Sequence, residues 1–496
     1  ALADSDDEEE AARQLAEEEA AEHEAAERGV LALTNEDTDS EEEEGASFKF
    51  AKHRKGIFNR VFRTKDSIMD TEKILSWKKT LIKKALLKQN RELDAECIQA
   101  FKNVMSYMGD RSSSKGPVEH AKKMIRNLMV APSGLRDEVF VQICKQTNKN
   151  PKVESCVKGW ELMRYCLATF PPSKAVKNFL IDYIQKNVNN TSNDKRIINL
   201  ATACLQQIDK ILVGQRKQIP SERELNALKN LEKVTIHVPL LNGDLKTLQV
   251  DSYTTVAEVE AMITSSMNLV FTEPFGLYEV GNANVERLLD VKERVLDVVA
   301  SWENAPPDME DNHTGSKNAP VYHSLYAQFL YKAKLVLKLD VHEIASDMEA
   351  INLLYIQAVN DIVTDRYPVK EKDTTVLAAL QLQATHGDYR PDVHIPGWLS
   401  KPDIITQYIP AALITNDKGK QDHRLCAEWE EKIMQKYRKF NGFTPLESKT
   451  NYLQLVQEWI FYGATFFEVE QRQFKDYPSP LFLGVTCEGI LLLHPQ

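Results

Sequence analysis

The chain has 496 residues, 43% of them hydrophobic and 27% charged, which is enough for two or three cores because single cores stop growing near about 250–300 residues. No run approaches the roughly 18 consecutive apolar residues of a membrane span, and the acidic first ten residues are unlike the basic start of a secretory signal. A cytosolic, multidomain protein is expected. The net charge of -11 is uneven: residues 1–46 carry -17 and the remainder +6. A mildly basic body of this kind suits acidic partners. The seven cysteines (Cys97, Cys144, Cys156, Cys166, Cys204, Cys426 and Cys487) contain no C-x-x-C pair, so reduced, buried thiols are expected.

Residues 1–46 alternate Ala/Glu stretches with acidic blocks and contain no aromatic residue, a composition that predicts a disordered linker. The next segment, 47–66, reverses the charge: Lys52, Arg54, Lys55, Arg60 and Arg63 interleave with Phe48, Phe50, Phe58 and Phe62. These cations are candidates for contact with anionic lipid or a motor head. The same stretch also suits a strap whose phenylalanines pack while the lysines stay wet.

From about residue 70 to 227 the pattern is helical. Leu135, Val139 and Ile143 recur at helical spacing, with Ser133 placed to cap and Asp137 and Glu138 in the early turns. Asn150 and Pro151 read as the cap and first position of the next helix, which runs through Trp160 to the Pro171–Pro172 stop. Lys78, Lys79, Lys83, Lys84 and Lys88 recur at helical spacing, as do Lys122, Lys123 and Arg126. Either set could meet an acidic partner or simply form a solvated helix face.

After Leu231 the period becomes two. Val234, Ile236 and Val238 alternate with polar residues, Asn242–Gly243 marks a turn, and 245–250 returns as a strand. Thr255 caps a helix, and 275–280 and 298–302 read as short strands. Residues 305–320 form a polar, proline-bracketed linker. Helix is expected from 321 to about 456, then three strands at 465–469, 481–485 and 489–493. Three strands without a closing element do not make a stable domain alone, so they read as the start of a lobe that is cut short.

No enzyme signature survives scrutiny. His342–Glu343 opens like a zinc-protease helix, but Ser346 stands where the second histidine belongs. Nucleophile elbows, phosphate loops and dinucleotide fingerprints are missing, so no catalysis, no metal and no cofactor is expected.

Several motifs fall together in order: Tyr107-Met108-Gly109-Asp110, Leu135 to Val139 with Lys145-Gln146-Thr147, Gly159-Trp160-Glu161-Leu162, Phe170-Pro171-Pro172-Ser173, and Gly214-Gln215-Arg216-Lys217 with Pro220 and Glu224. They resemble the myosin tail homology 4 (MyTH4) domain. Leu377 to Gln383 with Gly387-Asp388-Tyr389 resembles the middle lobe of a FERM domain, and Tyr462 to Phe467 with Leu483-Gly484-Val485 resembles the entry to its third lobe.

The resemblance implies a multidomain, mainly α fold with α+β parts: a MyTH4 helical bundle (67–230), a ubiquitin-like FERM lobe (231–304), an acyl-CoA-binding-protein-like helical lobe (321–460) and a truncated PH-like lobe (461–496). It implies the cargo-binding, autoregulatory tail of an unconventional myosin, most like class VII and also similar to class X, class XV and amoeboid myosins. Implied partners are cytoplasmic tails of membrane proteins or adaptors, microtubules, the chain's own motor domain and anionic lipid, but not nucleic acid. The implied location is the cytoskeleton at the cell cortex or actin protrusions. The alternative is an adaptor or kinesin-linked tail that bridges microtubules and membrane. Trp160, Arg136, Asp137 and Glu138 are family landmarks expected to hold the bundle together.

Overall fold

The computed structural model describes residues 74–494, apart from 88–92, 212–213, 282–285, 305–327, 335–343, 345, 368, 417–418, 471, 473–479 and 487–488. The acidic leader, the basic-aromatic strip and the proline-bracketed linker lie outside the described residues. Two compact units divide the chain: the first comprises residues up to 234 with 249–254 and 294–305, the second 235–248, 255–293 and 306 onward.

The first unit is a helical bundle of α1 (Asp94–Met108), α2 (Pro117–Val130), α3 (Ser133–Thr147), α4 (Val153–Thr169), α5 (Lys174–Val188), α6 (Lys195–Lys210) and α7 (Glu222–Asn230), joined by a later helix, α9 (Val295–Glu303). Helix α4 is buried nearly all round. Trp160, Leu162, Met163, Cys166, Leu167 and Ala168 are fully buried, as a helix surrounded by others must be, and α1, α2, α3, α6 and α7 all pack on it. Helix α6 shows the amphipathic alternative, burying Ile197, Leu200, Ala201, Cys204 and Ile208 along one face. Gly109 ends α1 in the left-handed conformation at φ 77°, donating its N–H to the last-turn carbonyls. The side chains of Ser173, Asp194 and Ser221 cap α5, α6 and α7.

Three local expectations need correction in this unit. Ser133 is the first residue of α3 rather than its cap: Pro132, extended at φ -56° and ψ 151°, occupies the cap without a side-chain hydrogen bond. Asn150 does not cap α4, which starts at Val153. Its Oδ1 accepts from the Lys152 N–H at 2.9 Å and its amide donates to Gln146 O, closing a turn ahead of the helix. Residues 298–302 are helix, not strand. Val295, Leu296, Val298, Val299 and Trp302 are all buried, and so short an apolar run carries no period that separates the two states.

Strands β1 (Val234–Pro239) and β2 (Leu245–Val250), whose central residues 235–248 open the second unit, form a hairpin around Gly243, whose φ of 87° the turn requires. Helix α8 (Val256–Met267) opens with a full capping box between Thr255 and Glu258. A three-stranded sheet runs in the order β4 (Glu286–Leu288), β3 (Phe275–Val280), β5 (Gln328–Ala333). Strand β5 falls where helix is expected. It pairs antiparallel with β3, Leu277 facing Tyr331, and buries Phe329, Tyr331 and Ala333 at strand spacing.

Helices α10 (Met348–Val363), α11 (Glu371–His386), α12 (Pro402–Ile405), α13 (His423–Tyr437) and α14 (Pro445–Gln457) follow. Their core gathers Ala378, Leu382, Leu399, Ile409, Cys426, Ile433 and Tyr437. The Glu430 carboxylate is buried and accepts from the N–H groups of Gly397 and Leu399. That of Asp347 accepts from Val270 and Phe271 at 2.8 Å, tying the sheet-bearing part to α10. Last come the antiparallel strands β6 (Thr465–Val469), β7 (Leu481–Val485) and β8 (Ile490–Leu493), at the expected positions. Six cysteines are buried thiols; Cys487 lies outside the described residues.

Candidate interaction surfaces

Where the described chain begins, residues 74–79 run irregularly across the ends of α1 and α3 and are pinned there. Buried Lys145 donates through Nζ to the carbonyls of Ile74 and Ser76, and Asn148 donates to Leu75 O. The Trp77 N–H reaches Asn148 O, and its indole donates to Asp110 Oδ2 at 2.9 Å. Gln146 closes the node, accepting from the Lys78 N–H at 3.2 Å and donating to Asp110 Oδ2 at the same distance. Burial, reinforced by the charge of Lys78, pushes the Lys145 ammonium down to about 8.

Around this node the surface is cationic. Lys78, Lys79, Arg111 and Lys152 are exposed and Lys158 is half-buried. Lys152 Nζ stands 4.0 Å from Asp110 Oδ1, and Lys158 Nζ lies 3.8 Å from the point a Cβ on Gly109 would occupy. Glu154, in the first turn of α4, is engaged in a bidentate pair with Arg196. Arg111 is far in sequence from Lys152 and Lys158, and the three escape a spacing argument; the signal was the Gly109–Asp110 corner that ends α1.

The predicted lysine row is not helical. Lys79, Lys83 and Lys84 are exposed on bends and Lys78 on irregular backbone, while Lys88 lies outside the described residues. Buried Ile82, Ala85 and Leu87 explain why: the segment packs its apolar residues at irregular spacing, and its backbone is held by side chains, Leu86 and Leu87 N–H by Glu138 and Ala85 N–H by Asp94. The second set does sit on α2. Arg126 is exposed, Lys122 and Lys123 are half-buried, and Lys122 donates to Asn304 Oδ1. Lys52, Arg54, Lys55, Arg60 and Arg63 lie outside the described residues.

The landmark residues serve the bundle. Trp160 is fully buried and stacks on Tyr183 at 5.8 Å. Asp137 accepts the N–H and hydroxyl of Ser173. Glu138 accepts the N–H groups of Leu86 and Leu87, holding the entry segment to α3. Arg136 donates to Gln215, whose amide reaches Met129 O. Arg216, with no exposed side-chain surface, lies between Glu224 of α7 and Asp297 of α9, 2.7 Å from the latter. Ser252 adds a hydroxyl to Glu224, and the N–H groups of Lys217 and Gln218 add to Asp297. These contacts bind 249–254 and α9 into the helical unit, although the sequence pattern groups both with the ubiquitin-like lobe.

Among the described residues no group of three or more His, Cys, Asp and Glu side chains could hold a metal, and no helix is long and apolar enough to cross a membrane. Fold and surface define a class: a helical bundle followed by a sheet-and-helix module, with its buried polar groups spent on architecture. Family models make it specific. Residues 122–227 match the MyTH4 domain, 232–326 the RA like domain and 340–467 the FERM central domain. The chain thus carries a match to a MyTH4 domain followed by one to the central part of a FERM domain.

Its relatives include kinesin-like protein KIN-14I of rice (25% identical; 86% of this chain, 34% of the relative) and KIN-14E of Arabidopsis thaliana (26%; 86% and 33%). Myosin-I heavy chain of Dictyostelium discoideum is similar at 24% identity over 92% of this chain and 19% of its own length. The chain spans about a third of the kinesin-like relatives and a fifth of the myosin. The MF1 MyTH4-FERM domain of Dictyostelium myosin VII has the same fold, with TM-score 0.68, 21% identity and coverage of 88% of this chain and 84% of that one. So does the C-terminal MyTH4-FERM domain of human myosin 7b, solved in complex with the harmonin-a PDZ3 domain (TM-score 0.68, 22%; 92% and 88%).

Proposed function

We propose that this chain is the cargo-binding and autoregulatory tail region of a cytoskeletal motor, acting at the cell cortex or in actin protrusions by binding membrane-protein tails or adaptors. One observation carries the reading: relatives named as kinesin-like proteins and relatives named as myosins share this same stretch over most of its length. A region common to motors of two kinds serves something other than the track-specific chemistry of either. The solved complex of a myosin 7b MyTH4-FERM domain with a PDZ domain supports a protein partner. The mechanism is non-covalent: a partner segment orders on the cassette surface, and cargo that competes with the motor head relieves inhibition through its differential affinity.

The parent motor is a myosin in the first reading. The second, favoured by the two kinesin-like relatives, attaches the same cassette to a kinesin or to an adaptor that bridges microtubules and membrane. The coding sequence upstream of Ala1 separates them. Adding the 496-residue chain to the parent's isolated motor head should lower basal ATPase several-fold and saturably; an unchanged rate removes autoregulation from the proposal.

A further inference from the structure

Two features of the chain are opposite in charge and close in sequence. The leader, residues 1–46, holds -17. The described chain enters at Ile74, inside the cationic surface formed by Lys78, Lys79, Arg111, Lys152 and Lys158, where Asp110 is the carboxylate of the node and its Oδ2 already accepts from Trp77 and Gln146. Lys145 beneath it donates to the carbonyls of Ile74 and Ser76, and burial, then the charge of Lys78, lowers its ammonium. Residues 47–73 separate leader and surface in sequence by a contour length of at most about 90 Å, at roughly 3.3 Å per residue. A tethered segment meets its site at an effective concentration on the order of millimolar, so even weak charge pairing populates the docked state.

We propose that the acidic leader docks in cis on the surface of Lys78, Lys79, Arg111, Lys152 and Lys158, and there excludes acidic segments of partner proteins. The docking itself needs nothing beyond charge and tether; the exclusion of partners rests on the interaction-tail reading above. The node is built to keep the cations in place. Trp77, Gln146 and Lys145 fix the backbone of 74–79, and the left-handed Gly109 turns Asp110 beneath Lys152. The pairing is soft and screened, as exposed ion pairs are, so partner acidity and ionic strength both set its population.

The test uses the full 496-residue chain. Zero-length carbodiimide coupling at ~50 mM salt, followed by peptide mass spectrometry, should link leader carboxylates to Lys78, Lys79, Lys152 or Lys158 within one chain, with at least fivefold loss at ~500 mM salt. Links confined to Lys49–Lys65, or no links from the leader, overturn the docking. A second arm follows anisotropy of a labelled polyglutamate peptide. Changing Glu8, Glu9, Glu10 and Glu41 to Glu44 to Gln should tighten its binding about tenfold, and adding Lys79→Glu/Lys152→Glu should abolish that gain. Equal affinity for the wild-type and Gln-substituted chains, with the cross-links present, would sink the exclusion while leaving the docking. Absence of any cargo with both arms positive would instead count against the interaction-tail reading alone.

Discussion

Arg216 keeps its charge without a water-exposed side-chain atom because two carboxylates face it, and burial of an ion is tolerable only when it is paired. Removing the cation leaves Glu224 and Asp297 close together and uncompensated. Arg216→Met should cost about 3–5 kcal/mol in urea unfolding of the helical unit, and Arg216→Met with Glu224→Gln and Asp297→Asn should recover most of it. A single variant within ~1 kcal/mol of wild type would contradict the assignment. Gly159 is a second sensitive position. A Cβ there would lie 2.4 Å from Thr147 Cγ2 and 2.9 Å from Met108 Cε, so Gly159→Ala should destabilise by about 1–3 kcal/mol despite its better helix propensity.

Three histidines set an acid limit. Burial holds His120, His386 and His394 below the ordinary value of 6.5. The unfolded chain therefore takes up protons first as pH falls, and the stability these groups contribute is intact above about 6.5 and lost below it. The melting temperature should drop between pH 7.5 and 5.5, and His120→Asn should blunt the drop in the helical unit. A pH-independent melt would contradict this.

At the scale of elements, many helices were legible because helices announce themselves by spacing and stops: the Pro171–Pro172 break in the helical unit and the Thr255 cap in the second unit fall where expected. What failed had a shared cause. Residues 298–302 and 328–333 are short, largely buried apolar runs, and one became helix and the other strand because of what packs on them. The lysine run at 78–84 matched a helical period yet lies on irregular backbone: the Lys78 N–H goes to Gln146, and those of Ala85, Leu86 and Leu87 just after it go to Asp94 and Glu138; such side-chain partners leave no local signature. Exposed Lys83 and Lys84 remain the candidates for a microtubule contact. Salt-sensitive co-sedimentation that falls severalfold in Lys83→Glu/Lys84→Glu is expected, and unchanged binding would reject these residues.

Across the whole molecule, the family was readable from ordered motifs, whereas the cationic surface was not. Lys78, Arg111, Lys152 and Lys158 meet only once α1, α3 and α4 have converged on Asp110. The landmarks that sequence offered, Trp160, Arg136, Asp137 and Glu138, are spent on holding the fold. That division fits a cassette whose interior is fixed and whose surface is free to suit different motors and cargoes.

The most direct measurement follows from that division. In the full-length parent protein, deleting residues 74–496 should leave track-stimulated ATPase intact, raise basal ATPase several-fold and abolish co-fractionation with membranes. Loss of the stimulated ATPase, or membrane association that persists undiminished, would contradict an interaction tail.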